Sequence, residues 1–278
     1  MVLCCEGRFQ RYLVRRAVED FDLAGVVWQT GDVTKQSLAA RLRPYANPWR
    51  LLRHIAARVL LPWFERRSAP TIDGLFGPDL PLSLPDALPQ LRTTNINAVE
   101  VVAQITELQP DIVLVNGTQL LREPILALLP TIRFGIVNLH TGLSPYSRGG
   151  NCNLFMLLEG HPEWLGVTVH HIDRGIDSGD IIYTAQLDLH PEDSYETLDA
   201  RSFHQGMELL LRAAHDLHAK QASRVAQWTE GKLFLRRTGY VYEPWHRLRA
   251  NIAVATGVLR RYLRAGGHAR HAVRTVSP

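Results

Sequence analysis

The chain has 278 residues, 46% of them hydrophobic and 21% charged, and a net charge of +4. That is enough apolar material to offset chain entropy, so disorder is excluded as the main state, and enough length for one large domain or a domain with an appendage. No apolar run approaches the roughly 20 residues of a membrane-crossing helix, and residues 1–7 lack the basic start and apolar length of a secretory signal, so a cytoplasmic protein with no membrane span is expected.

Three cysteines, Cys4, Cys5 and Cys152, form no C-x-x-C pair and read as reduced thiols, with Cys4 and Cys5 in strand core. Charge is uneven. Residues 232–278 hold ten Lys and Arg against Glu243 alone, a net +9, so the rest of the chain stands at −5. A mildly acidic body with a basic tail is expected, the tail being a solvated face or a contact for anionic partners.

In chain order, Val2-Leu3-Cys4-Cys5 reads as a buried strand, 8–20 as a helix with Phe9, Tyr12, Leu13 and Val18 on its core side, and 23–28 as a second strand. This β-α-β opening predicts a parallel sheet with right-handed crossovers. The stretch 30–90 breaks the rhythm. Residues 49–67 read as an apolar and basic helix interrupted at Pro62, which either lies on a membrane surface or packs on the body and shows its arginines to water. Five prolines between 68 and 90 predict a loop. The alternation then resumes: helix 97–108, strand 110–116, helix 123–129, strand 134–140, helix 153–159, strands 166–172 and 181–189, and a long helix 195–219. The result is an α/β, Rossmann-like, mostly parallel sheet with helices on both faces. Residues 1–230 form the main domain, with 30–90 inserted. Residues 231–278 form a basic C-terminal extension, with one or two helices and disorder past Gly266-Gly267.

A doubly wound sheet binds ligands at the carboxyl ends of its strands. One such end carries Asn116-Gly117-Thr118-Gln119, the next Asn138-Leu139-His140 followed by Thr141-Gly142-Leu143-Ser144-Pro145-Tyr146-Ser147-Arg148-Gly149-Gly150. Asn138 and His140 are two apart on a strand and face the same way, where core is otherwise expected. The segment Asp173-Arg174-Gly175-Ile176-Asp177-Ser178-Gly179-Asp180 reads either as turn chemistry or as a functional loop. It lacks calcium-loop spacing, and a metal held by His140, His170 and Asp177 is the minor alternative. No G-x-G-x-x-G follows the first strand, which argues against a dinucleotide dehydrogenase.

Together, Val137-Asn138-Leu139-His140, Leu143-Ser144-Pro145, Arg148-Gly149, Gly166-Val167-Thr168-Val169-His170 and Ile176-Asp177-Ser178-Gly179-Asp180-Ile181-Ile182 resemble the folate-dependent formyltransferases. That superfamily includes the glycinamide ribonucleotide, methionyl-tRNA and sugar N-formyltransferases. The resemblance is firm over 110–189 and fades after 230. It implies catalytic roles for Asn138, His140 and Asp177, and 10-formyltetrahydrofolate as co-substrate with no metal. It also implies a folate pocket lined by Gly117, Thr118, Gln119, Leu120 and Leu121 on one side and by Asp173, Ile176 and Gly179 on the other. Thr141, Gly142, Ser144 and Arg148 would border the acceptor. Where the family often reads Pro-Ser after the histidine, this chain has Thr141-Gly142, and Ser144 replaces a leucine.

The mechanism implied is attack of an amine on the formyl carbon. Asn138 donates to the oxyanion, as does His140 when protonated, and Asp177 orients His140 and relays the amine proton. A small-molecule amine, such as an amino sugar or a hydroxylamine, is the expected acceptor. The alternatives are a methionyl-tRNA formyltransferase-like enzyme, with tRNA met by the basic tail and the arginines of 41–67, and a non-catalytic folate-binding relative. A homodimer is compatible with the sequence.

Overall fold

The computed structural model describes residues 1–31, 46–270 and 272–278, so Arg41 and Arg43 lie outside the described residues. Strands β1 (Val2–Cys5), β2 (Val26–Gln29), β3 (Gln90–Thr93), β4 (Val113–Asn116) and β5 (Ile136–His140) pair in parallel; β7 (Gly166–His171) and β8 (Ile181–Gln186) follow antiparallel. With β7 and β8 they make a seven-stranded sheet of order β3-β2-β1-β4-β5-β7-β8.

Both faces of this sheet are covered, and alternate residues show it. Val2, Cys4, Val26 and Trp28 enter one core with Leu13 and Val14 of helix α1 (Arg8–Asp20). Met1, Leu3 and Val27 enter the other with Val101 and Ile105 of helix α3 (Val99–Leu108). Near-continuous apolar strands are the signature of such a two-sided sheet. Cys4 and Cys152 are buried free thiols, and burial pushes both well above the ordinary cysteine value.

Two features differ from the sequence expectation. Helix α2 runs from Pro48 to Phe76 without a break, through Pro62 and Pro70. Asn47 caps it by accepting from the amides of Trp49 and Arg50. Each interior proline removes a helical hydrogen bond. The helix continues because Ala57, Leu61, Ser68 and Phe76 are buried along one side, against the body. Strand β3 stands at the end of the expected 68–90 loop, where no strand is expected: it carries one half-buried aliphatic residue, Leu91, and follows Pro89. Strands β7 and β8 are the antiparallel part of the expected mostly parallel sheet, and hydrophobic pattern alone does not encode their direction.

Helix α4 (Glu123–Leu126) is a single turn, and α5 (Cys152–Leu158) follows the short strand β6 (Ser147–Gly149). The long helix α6 (Tyr195–His218) begins at a Ser194–Thr197 capping box. Strand β9 (Lys232–Phe234) pairs with β6, and helices α7 (Pro244–Ala255) and α8 (Val258–Arg264) follow. Past Gly267 the chain meets the body again: Val276 exchanges hydrogen bonds with Thr184 of β8, and the Arg274 guanidinium lies 4.2 Å from the Trp228 ring centre.

Candidate active site

Polar residues replace core at the carboxyl end of β5. Ile136 is buried in the core on one side of the sheet, and Asn138 and His140 share its face. Antiparallel pairing with β7 sets Asn138 opposite His170, and the Asn138 side-chain amide lies 3.1 Å from His170 Nε2. His170 Nδ1 lies 2.8 Å from the carbonyl of His171, and its Nε2 sits between the Asn138 amide and the Asp177 carboxylate.

Asp177 arrives from the β7–β8 connection. Its backbone is in the left-handed region, φ 46°, and the main chain around it is clamped by Gln227, which donates to the carbonyls of Asp177 and Gly179. The carboxylate accepts from the amide of Gly149 at 2.9 Å, and lies 3.5 Å from His140 Nδ1 and 3.4 Å from His170 Nε2. Those partners outweigh burial and hold Asp177 well below the ordinary carboxylate range.

His140 is 6% exposed, and each of its ring nitrogens faces an oxygen: Nε2 the Ser147 carbonyl at 3.2 Å, Nδ1 the Asp177 carboxylate. A neutral ring has one proton, so one lone pair always faces an acceptor; a second proton would satisfy both sides. Burial opposes that proton and is the larger effect, so the pKa lies below the ordinary histidine value despite Asp177. The resting ring at neutral pH is therefore neutral and gains a hydrogen bond by taking up a proton.

Most of the sequence-predicted residues meet in one cavity of about 380 Å³. Its walls are the 117–121 segment after β4 and the 172–177 turn after β7, and Asn138, His140 and Asp177 reach it from between them. Asp173 and Ile176 line it; Asp173 also spends its carboxylate on the turn, accepting from Gly175 N and Ser178 Oγ. Gly179 does not line the cavity. It packs so closely that a Cβ would overlap the His171 carbonyl oxygen. Of the acceptor-side residues, Thr141 lines this cavity and a second one of about 520 Å³, which also shares Asn151 and Phe203. Gly142 lies under the His140 ring, Ser144 is fully buried behind it, and Arg148 is half-buried on β6. Gly149, Gln227 and Phe203 were not foreseen. Among the described residues no group of His, Cys, Asp and Glu is arranged to hold a metal ion.

Residues 83–214 match the Formyl transferase family. The likeness to that family covers a little under half of the chain. A methionyl-tRNA formyltransferase of Geobacter metallireducens is 36% identical over 124 residues, 44% of this chain and 37% of that protein, so the match spans well under half of the relative's length. Two solved structures share the fold of this chain. A candidate sugar N-formyltransferase of Mycobacterium tuberculosis is 20% identical, with TM-score 0.52, over 90% of this chain and 85% of that one. An N-formyltransferase of Helicobacter canadensis, in complex with folinic acid and dTDP-3-aminofucose, is 12% identical, with TM-score 0.50, over 90% and 80%.

Two expectations follow for the stability of this fold. Gly179→Ala is expected to cost about 1–3 kcal/mol or more in urea unfolding, because the clash is with backbone that cannot rotate away. Stability is also expected to fall in acid. Burial, aided by Arg224, lowers His171 to about 4, whereas an unfolded histidine titrates near 6.5. Between those values the unfolded chain binds more protons, so stability is complete above about 6.5 and declines as pH falls toward 4. Thermal midpoints of wild type and His171→Gln at pH 7.5 and 5 check this: the decline should be shallower in the variant.

Proposed function

We propose that the chain transfers the formyl group of 10-formyltetrahydrofolate to the amine of a small-molecule acceptor, with Asn138, His140 and Asp177 at the reacting centre. The observation that carries this reading is the convergence of those three side chains on one cavity, all three within the stretch that matches the Formyl transferase family. The cavity suits the donor: two facing stretches of irregular backbone and about 380 Å³ fit a flat heterocycle read by main-chain groups. When bound, the donor supplies the activated formyl group. The Helicobacter canadensis fold relative holds a folate and an amino sugar together, the same pairing of ligand classes.

As the amine adds, a carbon–nitrogen bond forms, the carbonyl oxygen gathers charge, and the amine must lose a proton. Asn138 donates to that oxygen, exchanging its long 3.5 Å contact with Asp177 for a stronger acceptor. Neutral His140 takes the proton, and the Asp177 carboxylate stabilises the resulting imidazolium. The bond to the departing nitrogen of the donor then breaks, and that nitrogen receives the proton.

The second cavity supports a small acceptor. Its volume is that of a ligand site, and it opens beside Thr141 between Tyr195, Asp199, Phe203 and Tyr242. The basic tail offers less to tRNA than its charge suggests. Arg247 is paired with Glu65 and Glu196, Lys232 with Glu159, and Arg260 and Arg261 bond nearby main-chain carbonyls. Parallel assays with nucleotide-linked amino sugars, N-hydroxyornithine and methionyl-tRNA test the acceptor class. Formylation of an amino sugar or hydroxylamine is expected; salt-sensitive formylation of methionyl-tRNA alone would replace this reading.

A further inference from the structure

Helix α2 is apolar on two opposite sides. Its inner side, with Ala57 and Leu61, is buried. On the other side Trp49, Leu52, Ile55, Val59 and Trp63 recur at intervals of three and four residues and are 49–69% exposed. At 1.5 Å rise per residue they form a stripe about 20 Å long. The arginines of 49–67 therefore do not alone occupy the outward surface; large apolar side chains stand out among them.

Charge around the stripe has one sign. Residues 48–64 contain no Asp or Glu but include Arg50, Arg53 and Arg58, and Arg66 and Arg67 follow at the end of the stripe. Arg58, Arg66 and Arg67 are exposed, and Arg67 lies over the Trp63 ring at 5.4 Å. The first acid, Glu65, is engaged by Arg247. Beside the helix, Arg50, Arg53, His246 and Arg249 line a cavity of about 470 Å³ together with Glu159, held by Lys232, and Glu243, held by Arg50.

We propose that this face of α2 docks on an anionic lipid bilayer, lying in the plane of the interface with its tryptophans and aliphatic residues among the lipid headgroups and its arginines against lipid phosphates. Tryptophan with leucine on one stripe and arginine beside it is the composition of an interfacial helix. No helix among the described residues is long and apolar enough to cross a membrane, so the contact is peripheral. A second copy of the chain is a poorer occupant, because self-pairing would bring two rows of arginine together with no facing acid.

The test is sedimentation of the full chain with vesicles of phosphatidylcholine alone or with about one quarter phosphatidylglycerol. Binding to the anionic vesicles only, weakened by salt and accompanied by a blue shift of tryptophan emission, is expected. The Trp49→Ser/Trp63→Ser variant should bind at least about tenfold more weakly. Arg58→Gln/Arg66→Gln should lose the preference for anionic lipid, and both variants should keep the wild-type circular dichroism and melting point. Three results would overturn the proposal: no binding to either vesicle, binding that the tryptophan variant leaves unchanged, or a lipid-free dimer that the tryptophan variant dissolves.

Discussion

Asp177→Asn is expected to lower kcat by about 10²–10⁴-fold while changing KM for the donor little, the range that a positioned acid–base group contributes. The substitution keeps size and shape but removes the charge that favours proton uptake by His140. Burial already holds His140 below its ordinary pKa, with Asp177 the main opposing influence. Without that carboxylate the imidazolium formed during amine attack has a carbonyl, Ser147 O, on one nitrogen and an amide on the other. The ground state is less affected, since the asparagine oxygen can still accept from Gly149 N. The checks are steady-state kinetics and a melting curve; kcat within tenfold of wild type, with the fold intact, would remove Asp177 from the proton path.

Asn138→Ala is expected to reduce kcat by about 10²–10³-fold, as for loss of one preorganised donor to a developing oxyanion. Its amide is held at the cavity by His170, whose own orientation is fixed by the His171 carbonyl. That chain predicts a companion effect: His170→Ala should lower kcat less than Asn138→Ala, because it frees the amide to rotate without removing it. The two substitutions share one interaction, so their combined effect should fall short of the product. A double variant whose loss equals the product would separate His170 from Asn138.

The fold was readable where strand-like segments are buried on both sides. Val2 to Cys4, Val113 to Asn116 and Gly166 to His171 are buried along their length, and two-sided burial leaves few other places for such segments. Asn138 and His140 stood out because polar side chains shared a face with core residue Ile136. Other parts depend on contacts between distant segments. Nothing near Gly149 indicates that its amide holds Asp177, or that Gln227, fifty residues on, clamps that turn. The helix through Pro62 and Pro70 is a case where burial of one side overrides local breakers. Ser144 shows the converse: a polar residue next to the site in sequence is fully buried behind it.

The central claim is that this cavity moves a formyl group, and donor labelled in the formyl carbon tests it most directly. Wild type, His140→Ala and Asn138→Ala would each be mixed with labelled 10-formyltetrahydrofolate and a nucleotide-linked amino sugar, with release of tetrahydrofolate and label in the amine followed together. The account predicts stoichiometric transfer by wild type and at least about a hundredfold slower transfer by both variants. Transfer at equal rates in all three, or tight binding of the donor with no transfer to any amine, would contradict it.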